Sequence, residues 1–539
     1  MRCPAAILAW LATEVLAGCN LAPVYDPPHY VLPDDYQGSA PFGVATPDKA
    51  LLSHSDWWGL LGDERLNELE SELGRENPTL KAAAERYVQA RDLAAEAQSR
   101  LYPQLGVQAL VSDNRESAHH LFNGSAEPRE EASNVIGATA AWEPDFWGAA
   151  RNGAHAQKRL AQSSAADLAA ARLSLEAELA TDYVALRGVD AELEVLRESI
   201  VAYRKAVDVA RLRAEGKIAS GLDLARALSQ LSSAQAQESE TKLQRDLLQH
   251  AIAVLVGAMP SNFTIAPTEV FSLTLPHVPA GVPSGLLERR PDVARAERQM
   301  AAANAMIGVS RAAFYPNVTL SGTAGFEDNA FRLADLPNSL WSVGANAVLP
   351  LFEGGLRRAE LQRSWSRYAQ TRDNYRATVL AAFQEVEDGL SRTQRLATGL
   401  KQQHEASNQA LQAETISTLL YDVGLDSYLS VAVAQVQALA AQIAEIQLRT
   451  RQMQSAVSLI RALGGGWNLT SLPDERRTLP FGTIDHSGSH ASSRPDETMC
   501  AECGNVPGSA AFGSGRQSLA EFGGGPVHVD PGRRREPSA

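Results

Sequence analysis

Two stretches of this chain keep an apolar residue at steps of three, four or seven for far longer than a globular helix lasts. Along 152–215 the series includes Leu175, Leu179, Tyr183, Leu186, Leu193, Leu196, Ile200, Tyr203, Val207 and Ala210; along 427–463 it includes Val436, Leu439, Ile443, Ile446, Met453, Val457 and Ile460. That spacing puts one face of a helix against a neighbour, and sustained it makes a coiled-coil seam. Ala, Gln, Glu and Arg, all strong helix formers, fill most other positions. Further long helices are expected over 222–256 and 356–421. A helix of ~65 residues spans roughly 95–100 Å at about 1.5 Å per residue, several times a globular domain.

Four shorter stretches switch to a period of two. In "LGVQALVSD", Leu105, Val107, Ala109 and Val111 alternate with Gln108 and Ser112. "VIGATAAW" (135–142) is rich in small residues. Val318, Leu320, Ala324 and Phe326 alternate with Asn317, Thr319, Ser321 and Thr323, and Trp341, Val343, Ala345, Ala347 and Leu349 with Ser342, Gly344 and Asn346. Strands of about ten residues, apolar on one face and small and polar on the other, are the pattern of a transmembrane β-barrel. Hairpins are expected over 105–146 and 317–352. Four strands cannot close a barrel, and an open edge in lipid leaves backbone groups unpaired. If these strands lie in a membrane, several chains must combine them, and three chains would supply about twelve strands, within the even-numbered range of such barrels.

The two patterns occur twice in the same order, about 207 residues apart, as an internal repeat of a whole structural unit. "SRLYPQLGVQAL" matches "AAFYPNVTLSGT", "WEPDFWG" matches "VLPLFEGG", and "EGKIASGLDLARALSQ" matches "LYDVGLDSYLSVAVAQ". The repeats are expected at 56–257 and 288–470, joined by a Pro-rich linker at 258–287 that forms part of a belt at mid-height. At the strand-to-helix corners, Pro144 and Pro350 stop the ladder, since proline lacks the N–H that pairing needs, and Gly148 and Gly354 let the backbone swing into the helix. At the helix-to-helix turns, Gly216, Gly221 and Gly424 suit left-handed conformations, and Asp223 and Asp426 suit capping of the helices that follow.

Charge and cysteine usage narrow the class. The net charge of −14 argues against a general nucleic-acid binder. No uninterrupted apolar run reaches the ~18 residues of a membrane-spanning helix, which argues against a helical membrane protein and says nothing against a barrel. No P-loop, GxSxG or HExxH occurs, and the 11 His are scattered, so neither an enzyme, a metal site nor a cofactor is expected. Residues 1–18 read as a signal peptide. "LAGC" ends at Cys19, where small residues before a cysteine resemble the bacterial lipobox. Residues 19–55 are expected to form a flexible tether, with Asn20 pointing to the outer membrane. The tail, 473–539, is Gly-, Ser- and Pro-rich and expected to be disordered; its "CAEC", Cys500 and Cys503, fits a disulfide better than zinc with His486 and His490.

The lipobox, "DWWGLLGDERLNEL", "LLERRPDVARAERQMAAANAMIGVSRAAFYP", "LPLFEGG" and "ALGGGW" together resemble the TolC-like outer membrane factor family, in its lipidated branch serving resistance-nodulation-division (RND) efflux systems. The resemblance covers about 19–470. It implies a mixed, mainly α fold: a homotrimer whose twelve-stranded barrel, four strands per subunit, continues into a long periplasmic α-helical barrel. Its implied partners are a periplasmic adaptor, an inner-membrane RND pump and outer membrane lipid. It implies a gate at the periplasmic tip, where Tyr421 hydrogen-bonds Asp223 and where Arg211, Asp422 and Asp426 are further ion-pair candidates. The adaptor would contact Gly221, Leu222, Gly424, Leu425 and Ser427. The chain departs from the family's "YLxLLDAQ" pattern, with Ser430 and Val433 where relatives place aspartates. The expected function is a passive export conduit opened by the adaptor. The alternatives are a type I protein secretion channel and, in another class, a structural coiled-coil envelope lipoprotein.

Overall fold

The computed structural model describes residues 20–28, 30, 56–115, 130–218, 220–268, 271–276, 283–329 and 335–474. Cys19, the signal segment, Cys500, Cys503 and the tail from 475 onward lie outside the described residues. The chain divides into Met1–Pro480 and Phe481–Ala539, and everything below concerns the first unit.

The helices are α1 (Glu64–Glu76), α2 (Pro78–Ser99), α3 (Ala149–Glu215), α4 (Gly221–Leu255), α5 (Pro283–Arg289), α6 (Pro291–Ala312), α7 (Leu356–Asp422) and α8 (Tyr428–Ala462). The strands are β1 (Gln104–Arg115), β2 (Glu130–Trp142), β3 (Asn317–Asp328) and β4 (Ser339–Val348). Helices α3 and α7 have 67 residues each, α4 and α8 have 35 each, and both pairs are offset by 207 positions. The 22-residue α2 and α6 recur at an offset of 213; the loops between absorb the difference.

All four long helices end alike. The N–H groups of Ile218, Ala258, Leu425 and Gly465 reach back to the carbonyls of Arg213, Ala253, Leu420 and Ile460, at 2.8–3.0 Å. This six-to-one bond closes a helix by placing one residue in the left-handed region. That residue is Gly257, Gly424 and Gly464 in three cases, and Lys217, with φ 55°, in the fourth. Gly216 (φ −72°) is not left-handed, and Gly221 is the first residue of α4 rather than a turn glycine, so the sequence misplaced this turn by one step.

The feet of the helix pairs are joints. Asn77 caps α2 by accepting from Leu80 N–H (2.8 Å) and donates through Nδ2 to the carbonyl of Leu255 (2.7 Å), the last residue of α4. At the second joint Arg290 donates through Nη1 to the carbonyl of Ala462, the last residue of α8, at 2.9 Å. Arg290 also grips Asp292 with two nitrogens (3.0 and 2.7 Å) and Glu385 at 2.8 Å. Gly257 and Gly464 are required beside these joints, because a Cβ would strike the carbonyl oxygens of Glu76 and Arg289.

One apolar core gathers Trp57, Leu66, Leu179, Tyr183, Ile252 and Val457, with Ile265 and Leu273 of the linker. A buried polar chain holds that linker to the helices. Arg187 donates to Tyr183 Oη, Asp190 and the Ala266 carbonyl, at 2.7–3.0 Å; Arg245 donates to Asp190 (2.6 Å) and to the Ile265 carbonyl (2.7 Å). A second core packs Val293, Met300, Val379, Val386 and Leu459.

One expectation is corrected. Residues 20–28 and 30 are not a loose tether but lie along α6. Arg311 donates to the Leu21 carbonyl (3.1 Å), Asn304 to the Pro23 carbonyl (2.9 Å), and Tyr25 Oη to Glu297 (2.6 Å). Tyr30 faces Tyr375 with ring centroids 6.0 Å apart. Prolines and aromatic rings made this segment suited to docking, which composition alone read as flexibility. Helix α8 is by length and composition apolar enough to cross a membrane. It instead buries Leu439, Val457, Leu459 and Ile460 among the other helices, because alanines and glutamines break the run without lowering its apolar average much.

Candidate functional site

The sheet runs β1-β2-β3-β4, antiparallel throughout. Residues directly opposite share a face. The register aligns Leu105, Ala140, Gly322 and Val343 in one row and Val107, Ala138, Ala324 and Trp341 in the next. The opposite face aligns Gly106, Thr139, Thr323 and Ser342, with Gln104, Ala141, Ser321 and Gly344 beside them. The apolar face is largely exposed in the isolated chain: Leu105 82%, Val107 83%, Trp341 77% and Val343 82%. The small residues of β2, obscure in the sequence, divide between the faces, with Ala138 and Ala140 on the apolar one and Gly137, Thr139 and Ala141 on the other. Gly137 lies opposite Gly325, and a Cβ on either would strike the partner strand's backbone. Strands β1 and β4 are the edges of the four-stranded sheet.

At the first corner, the Pro144 carbonyl accepts from Phe146 N–H (3.0 Å), and Asp145 accepts from the backbone and side chain of Arg151 (2.8 and 3.1 Å). Gly148 begins α3 from the left-handed region, φ 76°. Trp147 donates to the Pro316 carbonyl (2.8 Å) and stacks on Tyr315 at 4.7 Å. At the second corner, Arg357 pairs with Glu353 (2.9 Å) and donates to the Pro350 carbonyl (3.4 Å). Gly354 and Gly355 are both left-handed, φ 60° and 92°. The residue that begins α7, 207 positions after Gly148, is Gly355 rather than Gly354.

At the far end of the long helices, the two hairpin turns meet on an apolar cluster of Val207, Ala210, Ala227, Tyr421, Tyr428 and Val431. Tyr421 and Tyr428 meet edge to face, centroids 5.6 Å apart. Burial, and then neighbouring Tyr421, Tyr203 and Asp223, push the Tyr428 hydroxyl up to about 12. The Tyr421–Asp223 hydrogen bond is not formed. Tyr421 Oη is buried without a hydrogen-bond partner, and Asp223 pairs with Arg226 one turn along α4, at 3.8 Å. Nor does Asp223 cap α4: Ser220 does, accepting from Leu222 N–H at 3.1 Å. Arg211 faces Asp208 on its own helix, at 3.6 Å. The arginine at the turn is Arg213, which donates to the carbonyls of Tyr421 and Asp422, both at 3.1 Å, with its guanidinium carbon 4.2 Å from the Tyr421 ring centroid. Asp422 thus enters through its backbone. Asp426 organises its own turn, accepting from Ser427 N–H (2.6 Å) and Ser430 Oγ (2.9 Å).

Around this cluster Gly221, Leu222, Gly424, Leu425 and Ser427 are exposed, with Leu222 at 54% and Leu425 at 77%. Ile218 and Val423 stand out beside them, and Val433 is half-exposed.

The model of the family described as outer membrane efflux protein matches residues 69–258 and 282–465. The chain belongs to this family. It is 31% identical to the pyoverdine export outer membrane protein OpmQ of Pseudomonas aeruginosa over 415 residues, 76% of this chain and 87% of the relative. It is 30% identical to outer membrane protein OprJ of Pseudomonas aeruginosa over 490 residues, 89% and 98% of the two chains. The solved outer-membrane channel OprN superposes with a TM-score of 0.78 at 25% identity, over 83% of this chain and all of that one. The protein is an outer membrane efflux channel extending into the periplasm, with the trimeric barrel-and-tunnel fold of its family.

In this channel the apolar sheet face meets lipid and the small polar face lines the pore. Each subunit's free edges, β1 and β4, find partners in the neighbouring subunits, since an open edge in lipid leaves its N–H and C=O groups unpaired. Arg213, Ser220, Lys217 and Gly355 were missed in the sequence. Ser220 had a readable signal, a serine just before a helix start. Arg213 had none: an arginine in a helix's last turn ordinarily serves that helix's own carbonyls.

Proposed function

We propose that this channel is the outer component of a tripartite RND-type pump, passively conducting small compounds handed to it by an inner-membrane pump through a periplasmic adaptor. The observation that carries the reading is the pair of turns at the helix tips. Each places exposed apolar residues, Ile218 and Leu222 on one and Val423 and Leu425 on the other, around small residues at an otherwise polar end. Such a surface suits a tip-to-tip contact with another helical hairpin, and exposed apolar groups of this kind mark interaction sites. No P-loop occurs in the sequence, and in this reading energy enters through the pump. The relative named for pyoverdine export favours small-molecule cargo over a secreted polypeptide.

The tip is the gate in this reading, and Cys19 is lipidated, which puts its acyl chains near the start of α3, where Asn152 donates to the Asn20 side chain at 3.0 Å. Deletion of the gene should sensitise cells to a subset of a toxic-compound panel. The full-length chain should restore resistance, whereas a variant with Leu222 and Leu425 changed to Asp should assemble as trimers yet fail to restore it. Restored resistance with that variant sinks the docking assignment. Cys19→Ser should remove the lipid mass from the mature protein.

A further inference from the structure

We propose that the seam between neighbouring subunits, near its membrane end, is closed by an ion pair between Arg363 of one subunit and Asp92 of the next, at the place where the matching seam inside a subunit is closed by alanines. The internal duplication supplies the geometry. Inside one chain, α3 of the first repeat packs against α6 of the second. Four contacts fix their antiparallel register. Gly308 lies against Asn152, where a Cβ would strike Nδ2. Ala156 packs with Ala302 and Ala305. Ser163 donates to the Arg295 carbonyl at 3.3 Å, and Asp167 pairs with the Arg295 side chain at 3.0 Å. Helix α7 is the copy of α3, and α2 is the copy of α6. Packing in one chain runs from α2 to α3, from α3 to α6 and from α6 to α7. Helices α2 and α7 are therefore the two ends of the row.

Each end is bare where its copy is covered. Ala156, Ser163 and Ala166 of α3 are buried. The residues 207 positions on, Arg363, Gln370 and Asp373, are exposed. Ala302 and Ala305 of α6 are buried, and the residues 213 positions earlier, Gln89 and Asp92, are exposed. A closed ring of identical subunits joins two unlike surfaces head to tail. In a trimer of duplicated chains, α2 of the next subunit thus covers α7 as α6 covers α3. Carrying the register across sets Arg363, in the place of Ala156, against Gln89 and Asp92, in the places of Ala302 and Ala305. The ion pair inside the subunit has no copy here, since Asp167 and Arg295 become Asn374 and Ala82. Among the described residues Arg363 has no ion pair within its own chain, and Asp92 has Arg91 at 3.9 Å, the outer limit of one. Opposite charges across a seam select which surface meets which. Two α7 faces brought together would set arginine against arginine, so the pair admits the head-to-tail joint alone.

The test is disulfide cross-linking of the full chain. Arg363→Cys combined with Asp92→Cys should, on oxidation, give a covalent trimer in a denaturing non-reducing gel, returned to monomer by reduction. Either single variant, which keeps Cys500 and Cys503 as the parent does, should run as monomer in the same gel. A double variant that is trimeric in detergent yet does not cross-link overturns the pairing, and so does a disulfide that leaves the chain at monomer mass. A charge exchange covers the case in which the cysteine variant does not assemble. Arg363→Asp should lower the temperature at which purified trimers dissociate by several degrees, and its combination with Asp92→Arg should restore most of that loss. No loss in Arg363→Asp, or no recovery in the combination, overturns the pairing while leaving the trimer itself in place.

Discussion

The two halves of the channel make the same joint with different chemistry. At the first, the neutral side chain of Asn77 both caps α2 and donates to the last carbonyl of α4. At the second, Arg290 donates to the last carbonyl of α8 and cannot cap anything, so Asp292 takes over, accepting from Val293 N–H (2.9 Å) as well as from Arg290. The backbone solution is shared, with Pro78 and Pro291 opening the helices and Gly257 and Gly464 allowing close approach. The comparison teaches that the duplicated geometry fixes where a donor is needed and leaves open which residue provides it. A charged solution binds more partners, but it makes the joint more fragile.

Arg290→Ala should therefore have the largest effect, about 3 kcal/mol of lost stability, because it strands Asp292 and the α8 carbonyl in a mostly buried place. Asn77→Ala should cost about 1–2 kcal/mol, a lost cap and one buried hydrogen bond. Chemical unfolding of the two variants measures both; equal losses would break the comparison.

The first-half core also buries Glu70, 2% exposed, both of whose oxygens lack hydrogen-bond partners. Burial first, and the charge of Glu176 second, push its carboxyl up to about 10. The folded chain then keeps a proton that the unfolded chain sheds above its ordinary value of 4.5. Stability is consequently highest below that value and falls as pH rises toward 10. Glu70→Gln should stabilise the channel by about 2 kcal/mol near neutral pH and by nothing near pH 4. A gain of equal size at both pH values would show that the carboxyl does not titrate in this way.

The smallest effects lie at the turns. Lys217 holds the left-handed position that glycine holds at the other three helix ends. Lys217→Gly should gain about 0.5–1 kcal/mol, and Gly424→Ala should lose about 1 kcal/mol. Thermal shifts of opposite sign would sharpen the likeness of the two turns, and shifts of the same sign would refute it.

Much of this was legible beforehand. The long seams, the four alternating strands and the order of features appear in the chain because each is a local period. The tip was legible only in outline. Tyr421 does lie at its centre, but its ring partner Tyr428 was not foreseen, the expected Tyr421–Asp223 bond is absent and the arginine is Arg213 rather than Arg211. Two residues along a helix turn the side chain by about 200°, enough to change an exposed partner on the same helix into a bridge to another. The docked segment, residues 20–28 and 30, was misread for a related reason: two of its backbone carbonyls accept from, and the Tyr25 hydroxyl donates to, side chains on α6 nearly 300 positions away.

By itself the sequence determined the elements, their duplication, and the need for several chains to close the barrel, since apolar period and strand number are set by neighbours along the chain. The tertiary structure decided the side-chain partners: Arg213 on α7, Arg290 on α8, Tyr25 on α6. Those depend on the rotation of helices far apart in sequence, which only the packed structure fixes.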